Sequence, residues 1–238
     1  MPQLTVIISG GFSASYRQLL PEFEGSTGIA VTTLSGASQG KGPETIAAQL
    51  GRGVGVDVAI LSREGLGELI AAGRIIAGTD VDLARAALGA AVRSGTRRPD
   101  IGTVAAFKQA LLSAKVVAVP ASTSGIYLTT ELFPRLGLAD QLNTRITPRG
   151  SQSAALVATG DADIAVQPIS ELVREPGLDY LGPIPAELQL VQTFSAAIVA
   201  GSKEVAASRK LIAFLASVRA AAAFRNNGMQ PAIRYEEK

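Results

Sequence analysis

The chain has 238 residues, 47% of them hydrophobic, and a mean hydropathy of +0.28, and these values exclude a disordered chain. No apolar run reaches the roughly 20 residues that cross a bilayer, and a net charge of +2 with 5% aromatic residues argues against nucleic-acid binding. The absence of His and Cys excludes Ser-His-Asp and Cys-His catalysis and removes the usual transition-metal ligands, so we predict neither a metal nor a cofactor.

The opening stretch LTVIISGGFSASY combines an apolar run with a small polar elbow, residues 9–13. The runs at residues 4–8 and 56–60 hardly alternate with polar residues, which predicts strands of a buried parallel sheet. The elbow precedes a helix predicted over residues 14–24. Backbone N–H groups at a helix N-terminus favour an anion, so this elbow is a candidate anion site.

Three more polar stretches follow the same pattern, each between a predicted strand and a predicted helix: residues 35–43 before 44–51, 120–125 before 126–136, and 149–153 before 154–159. Residues 80–86 are interpreted as a polar–apolar connection to a strand, and residues 189–200 predict a long return strand. Ligands of open α/β sheets bind at the carboxyl ends of the strands. The chain order therefore predicts an α/β protein whose polar elbows form the binding site.

Five stretches carry a family pattern: ISGGFSASYRQLLPEFEGSTGIAVTTLSGAS, DVAILS, PASTSGIYLTTELFPRLGL, SQSAALVATGDADIAVQPISEL and VQTFSAAIVAGSKEVAASRKLIAFLAS. Their collinear order over nearly the whole chain resembles the type 2 periplasmic solute-binding proteins, which include the molybdate-binding proteins. The GGF opening resembles the branch that contains bacterial aconitate isomerase.

The resemblance implies a two-lobed fold in which each lobe is a mixed sheet flanked by helices, with two crossover strands and a hinge motion. Lobe one would comprise residues 1–87 and 195–238 and lobe two residues 88–194, with the ligand in a cleft between them. We expect a monomer that does not insert into a membrane. Because no signal peptide is visible, the protein would be periplasmic if a leader was removed and cytoplasmic otherwise.

The family's ligand positions carry over to residues in all four elbows and to one strand end. They predict ligand-binding residues Gly10, Gly11, Phe12, Ser13, Ser38, Gln39, Gly40, Lys41, Ser122, Ser124, Gly125, Tyr127, Arg149, Gln152, Ser153 and Gln167. Tight turns, helix caps and solvated surface charges are the alternative interpretations of these residues.

Two departures from the molybdate binders concern the ligand. Gly11 replaces a serine of that family, and the cations Lys41 and Arg149 stand beside two elbows where molybdate binders use none. Because Arg can hold a carboxylate through two parallel hydrogen bonds, we expect an organic di- or tricarboxylate. The protein would deliver it to an ABC importer permease. The alternatives are an aconitate-isomerase-like, cofactor-independent isomerase and a binder of molybdate or a similar oxyanion.

An isomerase needs a base that removes a proton beside a carbonyl group. The sequence offers Lys41 and Tyr127 as candidates, with Glu44 nearby, and no motif selects among them.

Overall fold

Two β-sheets organise residues 3–232, which are the residues that this computed structural model describes. The chain forms two units: the first contains the described residues up to Arg85 and from Thr193 onward, and the second is Ala86–Gln192. Residues 1, 2 and 233–238, which the sequence analysis assigned to lobe one, lie outside the described residues. Each sheet is flanked by helices, so the predicted mixed α/β class is confirmed, while the ligand cleft stays a prediction.

The strands are β1 (Gln3–Ile8), β2 (Ala30–Ser35), β3 (Val58–Ser62), β4 (Val81–Ala86), β5 (Leu88–Arg93), β6 (Val117–Pro120), β7 (Thr144–Thr147), β8 (Ile164–Pro168), β9 (Leu178–Pro183), β10 (Gln192–Ile198) and β11 (Gln230–Pro231). The α-helices are α1 (Gly10–Thr27), α2 (Ile46–Gly51), α3 (Arg63–Ala71), α4 (Val104–Ser113), α5 (Thr123–Tyr127), α6 (Phe133–Arg135), α7 (Gly150–Thr159), α8 (Val205–Leu215) and α9 (Ala221–Asn226). A π-helical turn, Leu128–Leu132, joins α5 to α6, and short 3₁₀ turns occupy Ile169–Glu171, Ala186–Leu188 and Val218–Ala220.

The first unit contains a six-stranded sheet in the order β11-β4-β10-β3-β1-β2. Strand β1 pairs in parallel with β2 and with β3, as predicted, whereas β10 runs antiparallel to β3. All five residues of β3 are buried, because Ala59 and Leu61 face one apolar layer while Val58 and Ile60 face the other. This double burial explains why the strand lacks polar alternation in the sequence.

The second unit contains a five-stranded sheet in the order β7-β6-β8-β5-β9. Strand β6 is parallel to β7 and β8, while β5 is antiparallel to β8 and β9. On one face, Val117, Val119 and Val166 pack with Phe107 and other apolar side chains. On the other face, small alanines of the strands pack against α7 through Val157. Burial of Phe107 alone contributes about 1.5–3 kcal/mol.

Three predicted helix starts are wrong by three to four residues in the same direction. The helices begin at Gly10, Thr123 and Gly150, whereas the sequence predicted starts at residues 14, 126 and 154. The N–H groups of a first helical turn have no intrahelical acceptor, so Gly and Ser lose little by occupying that turn. The small residues interpreted as elbows are therefore the first turns of the helices.

Three strands were not predicted as such, and one was predicted too long. Residues 81–86 form β4 rather than a connection, and β9 and the two-residue strand β11 were missed. The return strand β10 covers Gln192–Ile198 instead of residues 189–200. Strand β9 pairs only with β5, and most of its residues are partly exposed, so its apolar pattern is weak.

Candidate functional site

In the first unit, three serines follow or end the parallel strands β1, β2 and β3, and we call their surroundings the first rim: Ser9, Ser35 and Ser62. The backbone N–H of Ser9 donates to the Ile60 carbonyl oxygen over 2.9 Å, which ties the start of α1 to β3. The Ser9 side chain is 3% exposed, and its Oγ has no hydrogen-bond partner among the described residues. The N-terminus of α1 thus holds one buried, unpaired hydroxyl.

The first turn of α1, residues 10–13, contains two residues that pack in the core and two that are partly or fully exposed. Gly11 lies directly under the Phe194 ring, so that a Cβ at this position would overlap the ring. Phe12 is fully buried between Phe194 and Phe224, with ring centroids 6.2 and 5.4 Å apart, so its side chain belongs to the core. Ser13 Oγ accepts a hydrogen bond of 2.7 Å from Arg17. Gly10 is exposed.

The polar stretch after β2, residues 35–43, is held mainly by hydrogen bonds within the first unit. Ser38 is 4% exposed, and its Oγ accepts a hydrogen bond of 3.0 Å from the backbone N–H of Ser62, the residue that caps α3. Gln39 Nε2 donates to Glu68 Oε1 over 2.5 Å. Gly40 and Lys41 are exposed, and Gly40 has a φ of 115° that favours glycine. Ser38 therefore positions the start of α3.

In the second unit, three polar connections follow the parallel strands β6, β7 and β8, and we call them the second rim: residues 121–125, 148–153 and 169–171. They lie at the same end of the sheet, because Pro120 pairs with Thr147 and the backbone N–H of Ala121 donates to the Thr147 carbonyl oxygen over 2.6 Å. The parallel pairing of β6 with β8 brings the third connection to this end.

The connection after β6 contains three predicted site residues, and a fourth, Tyr127, ends the short helix α5. Ser122 is half-buried, whereas Ser124 is 1% exposed and its Oγ has no partner among the described residues. Gly125 packs so closely on the Pro120 carbonyl oxygen that no Cβ fits there. The Tyr127 hydroxyl donates to the Leu188 carbonyl oxygen over 3.0 Å and accepts from Arg135 at 3.4 Å. Tyr127 is thus engaged within its own unit.

The connection after β7 places Arg149 at the N-cap of the ten-residue helix α7, where its side chain is half-buried. Ser153 is fully buried, and its Oγ lies 2.6 Å from Thr147 Oγ1, so that it braces the first turn of α7. Gln152 is exposed. Arg149 is therefore the cation of this rim, and Ser153 has a structural contact inside it.

The end of β8 carries the predicted residue Gln167, and the connection after it contains two residues that the sequence analysis missed, Ser170 and Glu171. Gln167 is fully buried, its Nε2 donates to the Glu171 carbonyl oxygen over 3.4 Å, and its Oε1 has no partner among the described residues. Ser170 Oγ is likewise buried and unpaired. The Glu171 carboxyl lies against Gly150, the first residue of α7, where a Cβ would overlap it. The position of Glu171 in the short turn that follows the buried strand β8 is the signal that could have identified this residue.

The Glu171 carboxyl has an unusual acidity. Burial, and after it the negative charge of Glu175, raise its pKa from the ordinary 4.5 to about 7, against the lowering effect of the positive charge of Arg149. A carboxyl with a pKa near 7 exchanges protons readily at neutral pH.

A separate pocket of about 560 Å³ lies at the opposite end of β8, beside Ile164 rather than Gln167. It is lined in part by Arg93, Arg97 and Asp163, and it includes none of the predicted ligand-binding residues. Within residues 3–232, no cluster of three or more Asp or Glu side chains could hold a metal ion. No helix in this part of the chain is long and apolar enough to cross a membrane.

Comparisons with known proteins agree on the fold and add one sequence relative. Residues 4–230 match the family model described as bacterial extracellular solute-binding protein. A curated protein named aconitate isomerase, from Pseudomonas sp, is 36% identical over 230 residues, which cover 96% of this chain and 87% of that protein.

Two solved structures show the same fold at low sequence identity. The periplasmic molybdate-binding protein of Azotobacter vinelandii superposes with a TM-score of 0.76 at 20% identity, covering 95% of this chain and 98% of that one. The sulfate-binding protein SubI of Mycobacterium tuberculosis H37Rv superposes with a TM-score of 0.72 at 18% identity, covering 98% of this chain and 88% of that one.

Proposed function

The chain belongs to the bacterial extracellular solute-binding protein family, and from that premise we propose that it binds an unsaturated tricarboxylate and shifts the double bond of this ligand without a cofactor. The observation that carries the proposal is the 36% identity, over 96% of the chain, with a protein named aconitate isomerase. The likeness to molybdate and sulfate binders is below 25% identity and supports the fold alone.

The second rim has the chemistry that carboxylate binding requires. The N-terminus of α7 carries partial positive charge, and Arg149 adds a full positive charge at its N-cap. Two buried hydroxyls of the same rim, Ser124 Oγ and Ser170 Oγ, have no partner among the described residues and can donate to a carboxylate. Gln167 Oε1 can accept from a protonated carboxyl of the ligand. These groups favour an anion with several oxygen atoms.

The reaction is a proton shift along three carbons. The C–H bond of the methylene group breaks, its electron pair spreads over the allyl system and the adjacent carboxylate, and a new C–H bond forms at the former vinyl carbon. Electron balance requires no oxidant or reductant. Donors at a helix N-terminus stabilise the negative charge that develops on the carboxylate oxygen atoms, which lowers the barrier.

The test incubates the protein with cis-aconitate and with trans-aconitate in deuterated water and follows both by NMR. We expect interconversion of the two isomers and deuterium at the exchanging carbons. Citrate, a saturated tricarboxylate, is the matched control, because it has no double bond to shift. If neither aconitate isomer exchanges or converts, the isomerase proposal is wrong.

Binding without turnover is the second candidate, and the family match to extracellular solute-binding proteins favours it. In that case the protein delivers the carboxylate to an ABC importer permease. Calorimetry distinguishes the cases: heat with aconitate but no exchange supports transport. Heat with molybdate or sulfate and none with any tricarboxylate would instead support an oxyanion binder.

A further inference from the structure

We propose that the Glu171 carboxyl is the group that takes the proton from the ligand's methylene carbon and returns it to the other end of the allyl system. This inference rests on the proposed isomerase function and assigns its proton-transfer group. Glu171 was absent from the sequence-based site, in which Lys41 and Tyr127 were the candidates.

The position of Glu171 supports the assignment. Its carboxyl lies against Gly150, at the N-terminus of α7 and beside the Arg149 N-cap, which is where the ligand's carboxylates would bind. Gln167, near the end of β8, and Ser170, beside Glu171, carry buried polar atoms without a partner among the described residues. The proton-transfer group would therefore stand among the groups that hold the ligand.

The charges around Glu171 leave its carboxyl able both to accept and to donate a proton near neutral pH. The turn that carries it packs on α7 and on β5. Arg149 faces it from α7, Arg174 and Glu175 follow it on its own segment, and β5 has one charged residue, Arg93, at its far end near Gly160. Burial and Glu175 raise the Glu171 pKa to about 7, and Arg149 opposes them. At neutral pH, a large fraction is ionised and can accept a proton.

The sequence-based candidates suit the step less well. Lys41 is exposed on a loop of the first unit. The Tyr127 hydroxyl already donates a hydrogen bond to the Leu188 carbonyl oxygen. In the proposed step, a Glu171 carboxylate oxygen forms an O–H bond as the methylene C–H bond breaks. The resulting acid then protonates the far carbon, so the carboxylate is regenerated and no net proton is consumed.

The experiment compares deuterium exchange and binding in Glu171→Gln. We expect the exchange rate to fall roughly 10²–10⁴-fold, as for loss of a general base, while calorimetry shows trans-aconitate affinity within about tenfold, since Gln keeps the shape and hydrogen bonding of Glu. Glu171→Asp should keep an intermediate rate. Glu131→Gln, the same change at an exposed position of the second unit, should exchange like the wild type.

A pH profile provides a readout that a structural role would not change. In the wild type, kcat/KM should rise through about pH 7, and Glu175→Gln should move this rise to lower pH by removing a nearby negative charge.

If Glu171→Gln exchanges at the wild-type rate, the assignment of Glu171 is wrong although the isomerase function stands. If the wild type does not exchange, both fall. If Glu171→Gln does not fold, an unmoved profile in Glu175→Gln overturns the assignment.

Discussion

The first and second rims use the same connection from a parallel strand to a helix, but they satisfy their polar groups differently. In the first rim, Ser38 bonds to the Ser62 backbone and Gln39 to Glu68, so that Ser9 Oγ is the buried hydroxyl left over. In the second rim, Ser124, Gln167 and Ser170 each have a buried atom without a partner among the described residues. Such unpaired atoms cost folding free energy, which a bound ligand can recover.

The rims also differ in charge. Lys41, a cation of the first rim, is exposed, whereas Arg149 is half-buried and acts on the Glu171 carboxyl. A repeated fold motif thus supplies helix N-termini in both units, while a carboxyl with a raised pKa occurs in the second rim. The comparison teaches that the motif indicates where an anion can bind, and that the surrounding side chains decide what happens to it.

The largest expected difference concerns the glycines under the two rims. Gly125→Ala should lower the free energy of unfolding by about 3 kcal/mol, because its Cβ meets the Pro120 carbonyl oxygen, which β-pairing holds in place. Gly11→Ala should cost less, about 1–2 kcal/mol, because the end of the Phe194 ring can move. Urea denaturation measures both. Gly67→Ala, a helical position with open space, is the control and should not destabilise. Equal costs at Gly125 and Gly11 would contradict the expectation that the Phe194 ring can move more easily than the Pro120 carbonyl oxygen.

The next difference concerns ligand affinity, and it rests on the proposed function. Arg149→Ala should weaken trans-aconitate binding roughly 10- to 100-fold, the effect of losing a hydrogen bond between charged groups. Lys41→Ala, the matched change in the first rim, should weaken it less than about threefold, because an exposed ammonium remains hydrated. Titration calorimetry measures both affinities. A larger loss for Lys41→Ala would reverse the roles assigned to the two rims.

The raised Glu171 pKa predicts a pH-dependent stability difference. Because the folded-state pKa, about 7, exceeds the ordinary 4.5, folding favours the protonated acid, and the wild type loses stability as pH rises from 4.5 through 7. Glu171→Gln lacks this loss. Its free energy of unfolding should therefore exceed that of the wild type by about 1–3 kcal/mol at pH 8 and be similar to it at pH 4. Thermal melts at both pH values test this. A variant that is destabilised equally at both pH values would rule out a raised pKa of Glu171 in the folded protein.

The smallest expected effect separates the serines of the two rims. Ser38→Ala should cost about 1 kcal/mol, because it leaves the buried Ser62 N–H without its acceptor. Ser124→Ala should change the free energy of unfolding by less than about 0.5 kcal/mol, because its hydroxyl has no partner to lose among the described residues. Chemical denaturation measures both changes. A cost at Ser124 as large as that at Ser38 would show that its hydroxyl is satisfied in the folded protein.

The sequence by itself determined the α/β class, the parallel pairing of the first strands and the places where polar residues follow them. Those features are local: a strand buried on both faces shows an uninterrupted apolar run, and glycine and serine cluster where a helix begins. The motif order was also sufficient to identify the family. Helix starts were placed too late, because small polar residues look the same in a loop and in a first helical turn.

Only the tertiary structure decided which of these polar residues have partners. Ser38 bonds to a backbone group 24 residues away, and Phe12 enters a core completed by Phe194 and Phe224, so neither environment can be read from neighbouring residues. Glu171 looks like an ordinary surface acid in the sequence. Its raised pKa arises because chain folding packs the carboxyl of this half-buried residue against Gly150, and the resulting desolvation depends on atoms that are distant along the chain.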